Sequence, residues 1–126
     1  MIVGIGVDET DLARFERLLA HDAARVYRRI CTDAERAWCE SQERPHTALA
    51  TRWCAKEAVA KCLGTGFSLG VTPRSIEVVR AADGSVTVAL HGAAADVARA
   101  RSIARVHLSM SRTEQRAIAF AVAEGA

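Results

Sequence analysis

Past its opening residues, the main change in the period of this chain's apolar residues comes after Gly70 and Pro73, and that change bounds what it can fold into. Before it they recur every three or four residues. Leu12, Phe15, Leu18 and Leu19 predict a helix that Asp11 can cap. Thr32 with Glu35 is a capping-box pattern that starts a second helix through Trp38 and Cys39. Pro45, a capping Thr47, the stripe Leu49, Trp53, Ala60, Leu63 and a terminal Gly64 predict a third. After it the period is two. Ile76 and Val78 alternate with polar neighbours, Asp83-Gly84 signals a hairpin turn, and Val86 to Leu90 returns. A short alanine-rich helix over 92–101 then precedes two alternating segments, Val106 to Met110 and Ile118 to Val122.

Ahead of all this stands an apolar, β-branched run at 2–8, read as a buried strand whose Gly4 and Gly6 let something pack closely on its backbone. These elements predict an α+β fold, a largely antiparallel sheet packed with helices. At 126 residues one domain over 1–126 is expected. A net charge of +2 excludes binding to nucleic acid through overall charge, so electrostatic partners must be met by local patches. Arg14, Arg17, Arg25, Arg28 and Arg29 form one such cluster, which a solvated basic face would also explain. Cys31, Cys39, Cys54 and Cys62 lack CxxC or zinc-finger spacing and read as reduced packing residues of a cytoplasmic protein. The opening run is too short to span a membrane and has no basic flank, so no membrane association is expected.

Asp8 ends the buried strand, where a carboxylate has to be capping, paired or metal-bound. Glu57 sits mid-helix four residues before Lys61, the spacing of an ordinary surface ion pair. Together the two carboxylates suit Mg²⁺, which takes a few carboxylates and completes its shell with water and phosphate oxygens. Gly64-Thr65-Gly66 can aim backbone N–H groups at phosphate, with Lys56 and Lys61 adding charge; a plain helix cap reads the same way. Gly4-x-Gly6 lacks the third glycine of a dinucleotide fingerprint. His107, Ser109 and Ser111 share one strand face, either toward a ligand or toward solvent.

Met-Ile-Val-Gly-Ile-Gly-Val-Asp8-Glu-Thr-Asp-Leu-Ala-Arg14-Phe resembles the opening signature of bacterial holo-acyl-carrier-protein synthases, a family of 4′-phosphopantetheinyl transferases. Arg52-Trp-Cys-Ala-Lys56-Glu57-Ala-Val-Ala-Lys61-Cys-Leu-Gly64-Thr65-Gly66 resembles their second signature, and weaker similarity runs on through His107-Leu-Ser-Met-Ser to the C-terminus. The resemblance implies a phosphopantetheinyl transferase-like fold and transfer of 4′-phosphopantetheine from coenzyme A to a serine of an acidic acyl carrier protein. It implies that Asp8 and Glu57 hold Mg²⁺, that Lys61 and the Gly64–Gly66 turn lie against coenzyme A phosphates, and that Arg52 contacts the nucleotide. Asp8, Glu57 and Lys61 are then the expected catalytic residues, and Arg14, Arg17 and Arg25 the docking site for the carrier. It also implies a homotrimer with the coenzyme A site between neighbouring subunits. Two positions depart from the family. Glu9 replaces an aliphatic residue, adding a carboxylate near the metal, and Arg112 replaces a histidine. Arginine binds phosphate but accepts no proton, so Arg112 is expected as a phosphate or carrier contact and not as a base. The rival readings are a non-catalytic module that binds coenzyme A or a carrier protein, and a pyrophosphate hydrolase using the same carboxylates.

Overall fold

A computed structural model describes residues 1–126. The elements in chain order are β1 (Ile2–Asp11), α1 (Leu12–Ile30), α2 (Asp33–Glu40), α3 (Pro45–Cys62), a 3₁₀ turn (Pro73–Ser75), β2 (Ile76–Arg80), β3 (Val86–Leu90), α4 (Gly92–Ala100), β4 (Ile103–Arg112) and β5 (Arg116–Gly125). β1, β5 and β4 form an antiparallel sheet in that order, with β5 in the middle, and β2 pairs with β3 as a separate antiparallel hairpin. The α+β layout expected from the change of period is therefore present.

α3 packs across the inner face of the three-stranded sheet, and the local sequence explains how close it comes. A Cβ at Gly6 would lie 2.0 Å from the Ala58 carbonyl oxygen, and one at Gly4 2.2 Å from that of Cys62. Only glycine fits at either place. β5 makes the complementary adjustment, turning Ala117, Ala119, Ala121 and Ala123 inward, all fully buried. The large residues of that strand, Ile118 and Phe120, consequently point outward and are exposed, together with Ile5 and Val7 on β1. Val7 lies opposite Phe120, and Ile5 opposite Val122. The outer face of the sheet is therefore apolar in its middle.

α3 itself is buried on nearly every side, Lys56 and Arg52 included, because α1, α2 and the hairpin cover what the sheet does not. The expected apolar stripe is thus part of a helix buried on most of its surface, with Trp53 only half-buried and Lys61 exposed. Thr47 does not cap it. Arg44 holds the cap position, Pro45 is the first helical residue, and Thr47 lies inside the first turn. β1 runs three residues beyond its expected end at 8, and Asp11 stands at the start of α1 without accepting a capping hydrogen bond; its side chain faces Arg116 instead, at 3.5 Å. The Thr32–Glu35 capping box forms as expected. α1 is bent at Asp22 (φ −159°, ψ 82°), whose carboxylate accepts the Arg25 N–H at 3.2 Å and restarts the helix. In the hairpin, Gly84 takes φ +87° within a turn closed by the Ala81 N–H on the Ser85 carbonyl.

Candidate active site

Asp8 projects from the inner face of β1, opposite Ala119, onto the side of α3 that carries Cys54, Glu57 and Lys61. The Glu57 carboxyl is held above the ordinary glutamate value, first by burial, then by the Asp8 charge and its hydrogen-bonding contact with Asp8; Lys61 and Arg14 pull the other way. Burial, with Asp8 adding to it, likewise pushes the neighbouring Cys54 thiol up to about 12. Lys61 extends from the last turn of α3, donating to the Val7 carbonyl at 2.9 Å and reaching Asp8 Oδ1 at 3.3 Å, with about half of its side chain exposed. Two carboxylates in contact, with a single ammonium against them, make a site that favours an added cation. No group of three or more His, Cys, Asp or Glu side chains forms a cage. Two hard oxygen donors are the ligand type that Mg²⁺ takes, with water or phosphate oxygens completing its shell.

Three other expectations are corrected. Lys56 does not face a phosphate site. It is fully buried, and its ammonium donates to Glu35 Oε1 at 2.6 Å and to the Pro73 and Ile76 carbonyls, each at 2.7 Å. All three of its protons are used. Glu35 is equally committed, accepting from Thr32 N as well as Lys56, and from Val78 N on its other oxygen. The Gly64–Gly66 turn does not aim its amides outward. Gly64 N donates to the Lys61 carbonyl, and both Thr65 N and Gly66 N to that of Ala60, so the turn is a helix cap with Gly64 at φ +84°. Glu9 adds no carboxylate beside Asp8. Strand alternation puts it on the outer face, ion-paired with Arg116.

The opposite edge of the sheet carries a second concavity, a cleft of about 880 Å³ beside β4, with Arg44, Arg52, Arg80 and Arg112 in its lining. Ser109 and Ser111 share the rim. Arg52 and Arg80 both lie against the Trp38 ring, their guanidinium carbons 5.3 and 4.9 Å from its centroid. Arg52 is 2 % exposed, and its Nε has no hydrogen-bond partner. Burial, and to a lesser degree the Arg80 charge, lowers its pKa. Four guanidiniums in one cleft make a lining whose positive charge favours an anion. The sequence pointed to Arg52 and Arg112. It missed Arg44 and Arg80, which arrive from the α2–α3 connection and the end of β2 with no motif around them.

His107 stays outside this cleft, on the outer face of β4 with Ser109 and Ser111, and contacts Glu124 at 3.2 Å. Of the arginines on α1, Arg14 lies near enough to Glu57 to lower its pKa. Arg17 lines a smaller cleft with Glu16, Arg44 and His46, and Arg25 follows the bend; all three are exposed. The four cysteines are free and buried, and no helix is long and apolar enough to cross a membrane.

Residues 4–121 match the model of the 4′-phosphopantetheinyl transferase superfamily. Over 98% of its length the chain is 42% identical to a holo-[acyl-carrier-protein] synthase of Methylobacterium radiotolerans, covering 94% of that protein. Its fold is similar to the crystal structure of holo-[acyl-carrier-protein] synthase from Neisseria meningitidis, with a TM-score of 0.90, 37% identity and coverage of 98% of this chain and 99% of that one. It is also similar to a Bacillus anthracis holo-(acyl-carrier-protein) synthase in complex with coenzyme A (3′,5′-ADP), with a TM-score of 0.83, 32% identity and coverage of 100% and 99%. With the acid pair and Lys61 standing in the first half of a match that spans nearly every residue, the chain belongs to the 4′-phosphopantetheinyl transferase superfamily.

Proposed function

We propose that the chain is a transferase that moves 4′-phosphopantetheine from coenzyme A to a serine hydroxyl of an acidic acyl carrier protein, releasing adenosine 3′,5′-bisphosphate. The observation that carries this reading is the Asp8–Glu57 carboxylate pair with Lys61 at its rim, in a chain similar over its whole length to holo-[acyl-carrier-protein] synthases. Asp8 and Glu57 are the residues that would hold Mg²⁺, which when bound supplies charge neutralisation for a pyrophosphate under attack. Lys61, anchored by Val7 and half exposed, offers its remaining proton to a phosphate oxygen. Either Glu57 or a water ordered at the acid pair would take the proton of the attacking serine. Arg14, beside Glu57, starts the basic strip with Arg17 and Arg25 that would steer an acidic carrier toward it.

The acid pair sits at the β1 edge of the sheet and the arginine cleft at the β4 edge, with β5 between them. One coenzyme A spanning both features is best served by two chains, the β1 edge of one beside the β4 edge of the next. An exposed apolar row of Ile5, Val7, Ile118 and Phe120 on the intervening face supports such self-association. A homotrimer closes this head-to-tail contact with every site equivalent. In that arrangement Arg52 and Arg112 bind the nucleotide end of coenzyme A, and Ser109 and Ser111 flank it. Buried free thiols fit a cytoplasmic setting.

Incubation with an apo carrier protein, coenzyme A and Mg²⁺, followed by intact-mass spectrometry, tests the reading. A phosphopantetheine adduct on the carrier is expected. Binding of coenzyme A without an adduct would instead favour the non-catalytic module, and release of bisphosphate without a carrier would favour a hydrolase.

A further inference from the structure

The transferase reading puts phosphate against the turn that follows α3, yet that turn has no amide to give. Its three N–H groups are returned to the Lys61 and Ala60 carbonyls. The carbonyl end of a helix is also the negative pole of its dipole, which by itself disfavours an anion. Arg101, directly after α4, reverses the sign. Its Nη1 donates to the Leu63 carbonyl, the last acceptor of α3. Its guanidinium occupies the space beside residue 64 that a side chain would fill, since a Cβ there would stand 2.6 Å from Nη1 and 3.4 Å from Cζ. Gly64 is required by its φ of +84°, and its lack of a side chain leaves the guanidinium this place without a shift.

Arg101 is exposed and stands in none of the ion pairs made by the other arginines: Arg36 with Glu40, Arg99 with Asp96, Arg105 with Glu124, and Arg116 with Glu9 and Asp11. A guanidinium has five N–H donors in a planar fork. One is spent on Leu63, and no other hydrogen bond or ion pair within the chain takes the rest of this exposed side chain's donors. We propose that Arg101 is the group through which this turn binds a phosphate of coenzyme A, taking the part that the glycine amides cannot. Neither signature contains it, so the motifs alone would not have found it. The inference rests on the transferase reading for the identity of its ligand.

Calorimetric titration of coenzyme A into the wild-type protein, R101A and R101K, with thermal unfolding of each free protein, tests it. The wild type is expected to bind, R101A to bind roughly tenfold more weakly, as loss of one charge-assisted hydrogen bond would give, and R101K to recover part of the loss. Both variants lose the helix cap and should unfold a few degrees lower. Repeating the titration with 3′-dephospho-coenzyme A assigns the phosphate. A deficit that persists means the pyrophosphate and one that vanishes means the 3′-phosphate, and either supports the contact. If R101A lowers the unfolding temperature but leaves the Kd for coenzyme A unchanged, Arg101 only caps a helix and the proposal is overturned. Failure of the wild type to bind would overturn the transferase reading itself, a result distinct from a selective loss in R101A.

Discussion

The two edges of the three-stranded sheet are built from the same helix and carry opposite chemistry. α3 sends Glu57 and Lys61 to the β1 edge, where they meet Asp8, and sends Thr51 and Arg52 to the β4 edge, where Arg44, Arg80 and Arg112 join them. At the first edge two carboxylates meet Lys61, with Arg14 also acting on Glu57. At the second four guanidiniums share one cleft with a single carboxylate, Glu43, in its lining, so positive charge is in surplus there. The internal pair is elsewhere, at Lys56 and Glu35, and it is fully satisfied.

The largest effect should come from emptying the acid edge. Asp8→Ala or Glu57→Ala should lower transfer by about a thousandfold or more, the scale of losing charge stabilisation at a phosphoryl centre, while circular dichroism stays that of the wild type. Near wild-type transfer at limiting Mg²⁺ by either variant would misplace the site. Next come the two lysines of α3, which share one signature but differ in burial. Lys56→Met leaves Glu35 buried and unpaired and should cost about 3–5 kcal/mol of stability, measured by urea unfolding. Lys61→Met should cost about 1 kcal/mol or less, as a half-exposed pair does, and should instead raise the KM for coenzyme A. Equal losses of stability would contradict the separation of roles.

A smaller effect is expected from carrier steering. Arg14→Ala should lower kcat/KM for the carrier several-fold at low salt and flatten its salt dependence, since charges act over about 8 Å at physiological ionic strength. An unchanged salt profile would remove the arginines of α1 from docking. The smallest effect belongs to Arg112→His. A histidine there keeps a hydrogen-bond donor at the rim, beside three remaining arginines, and should keep transfer within about threefold of wild type, whereas Arg112→Ala should weaken coenzyme A about tenfold. A rise in kcat by orders of magnitude in Arg112→His would mean that a base is wanted there after all.

Local rules made much of this legible in the sequence. The Thr32–Glu35 box, the period of two after Gly70, and Gly4 with Gly6 as points of close approach all depend on neighbours along the chain or on the smallness of one residue. Asp8 and Glu57 were legible as members of two signatures, and their meeting followed from packing those segments together. What stayed hidden depended on partners distant in sequence. Lys56 reads like Lys61, yet Glu35, Pro73 and Ile76 surround only one of them. Ile118 and Phe120 look like core, but α3 lies too close to the sheet for anything larger than alanine on the inner face of β5. The glycine turn after α3 suggested outward amides, and only the carbonyls of Lys61 and Ala60 show where they go. Glu9 was within reach of alternation alone, since a strand that turns Asp8 inward must turn its neighbour out.

In the arrangement proposed above, one active site would take its acids from one chain and its arginines from the next. Co-refolding an Asp8→Ala chain with an Arg52→Ala chain in equal amounts tests it most directly, with each variant alone as control. In a cyclic trimer of randomly mixed chains about a quarter of the sites pair an intact β1 edge with an intact β4 edge. Transfer by the mixture should therefore return to about a quarter of the wild-type rate, far above the sum of the two variants. A mixture no more active than that sum, though shown to exchange subunits, would place both edges of the site in a single chain and contradict the account.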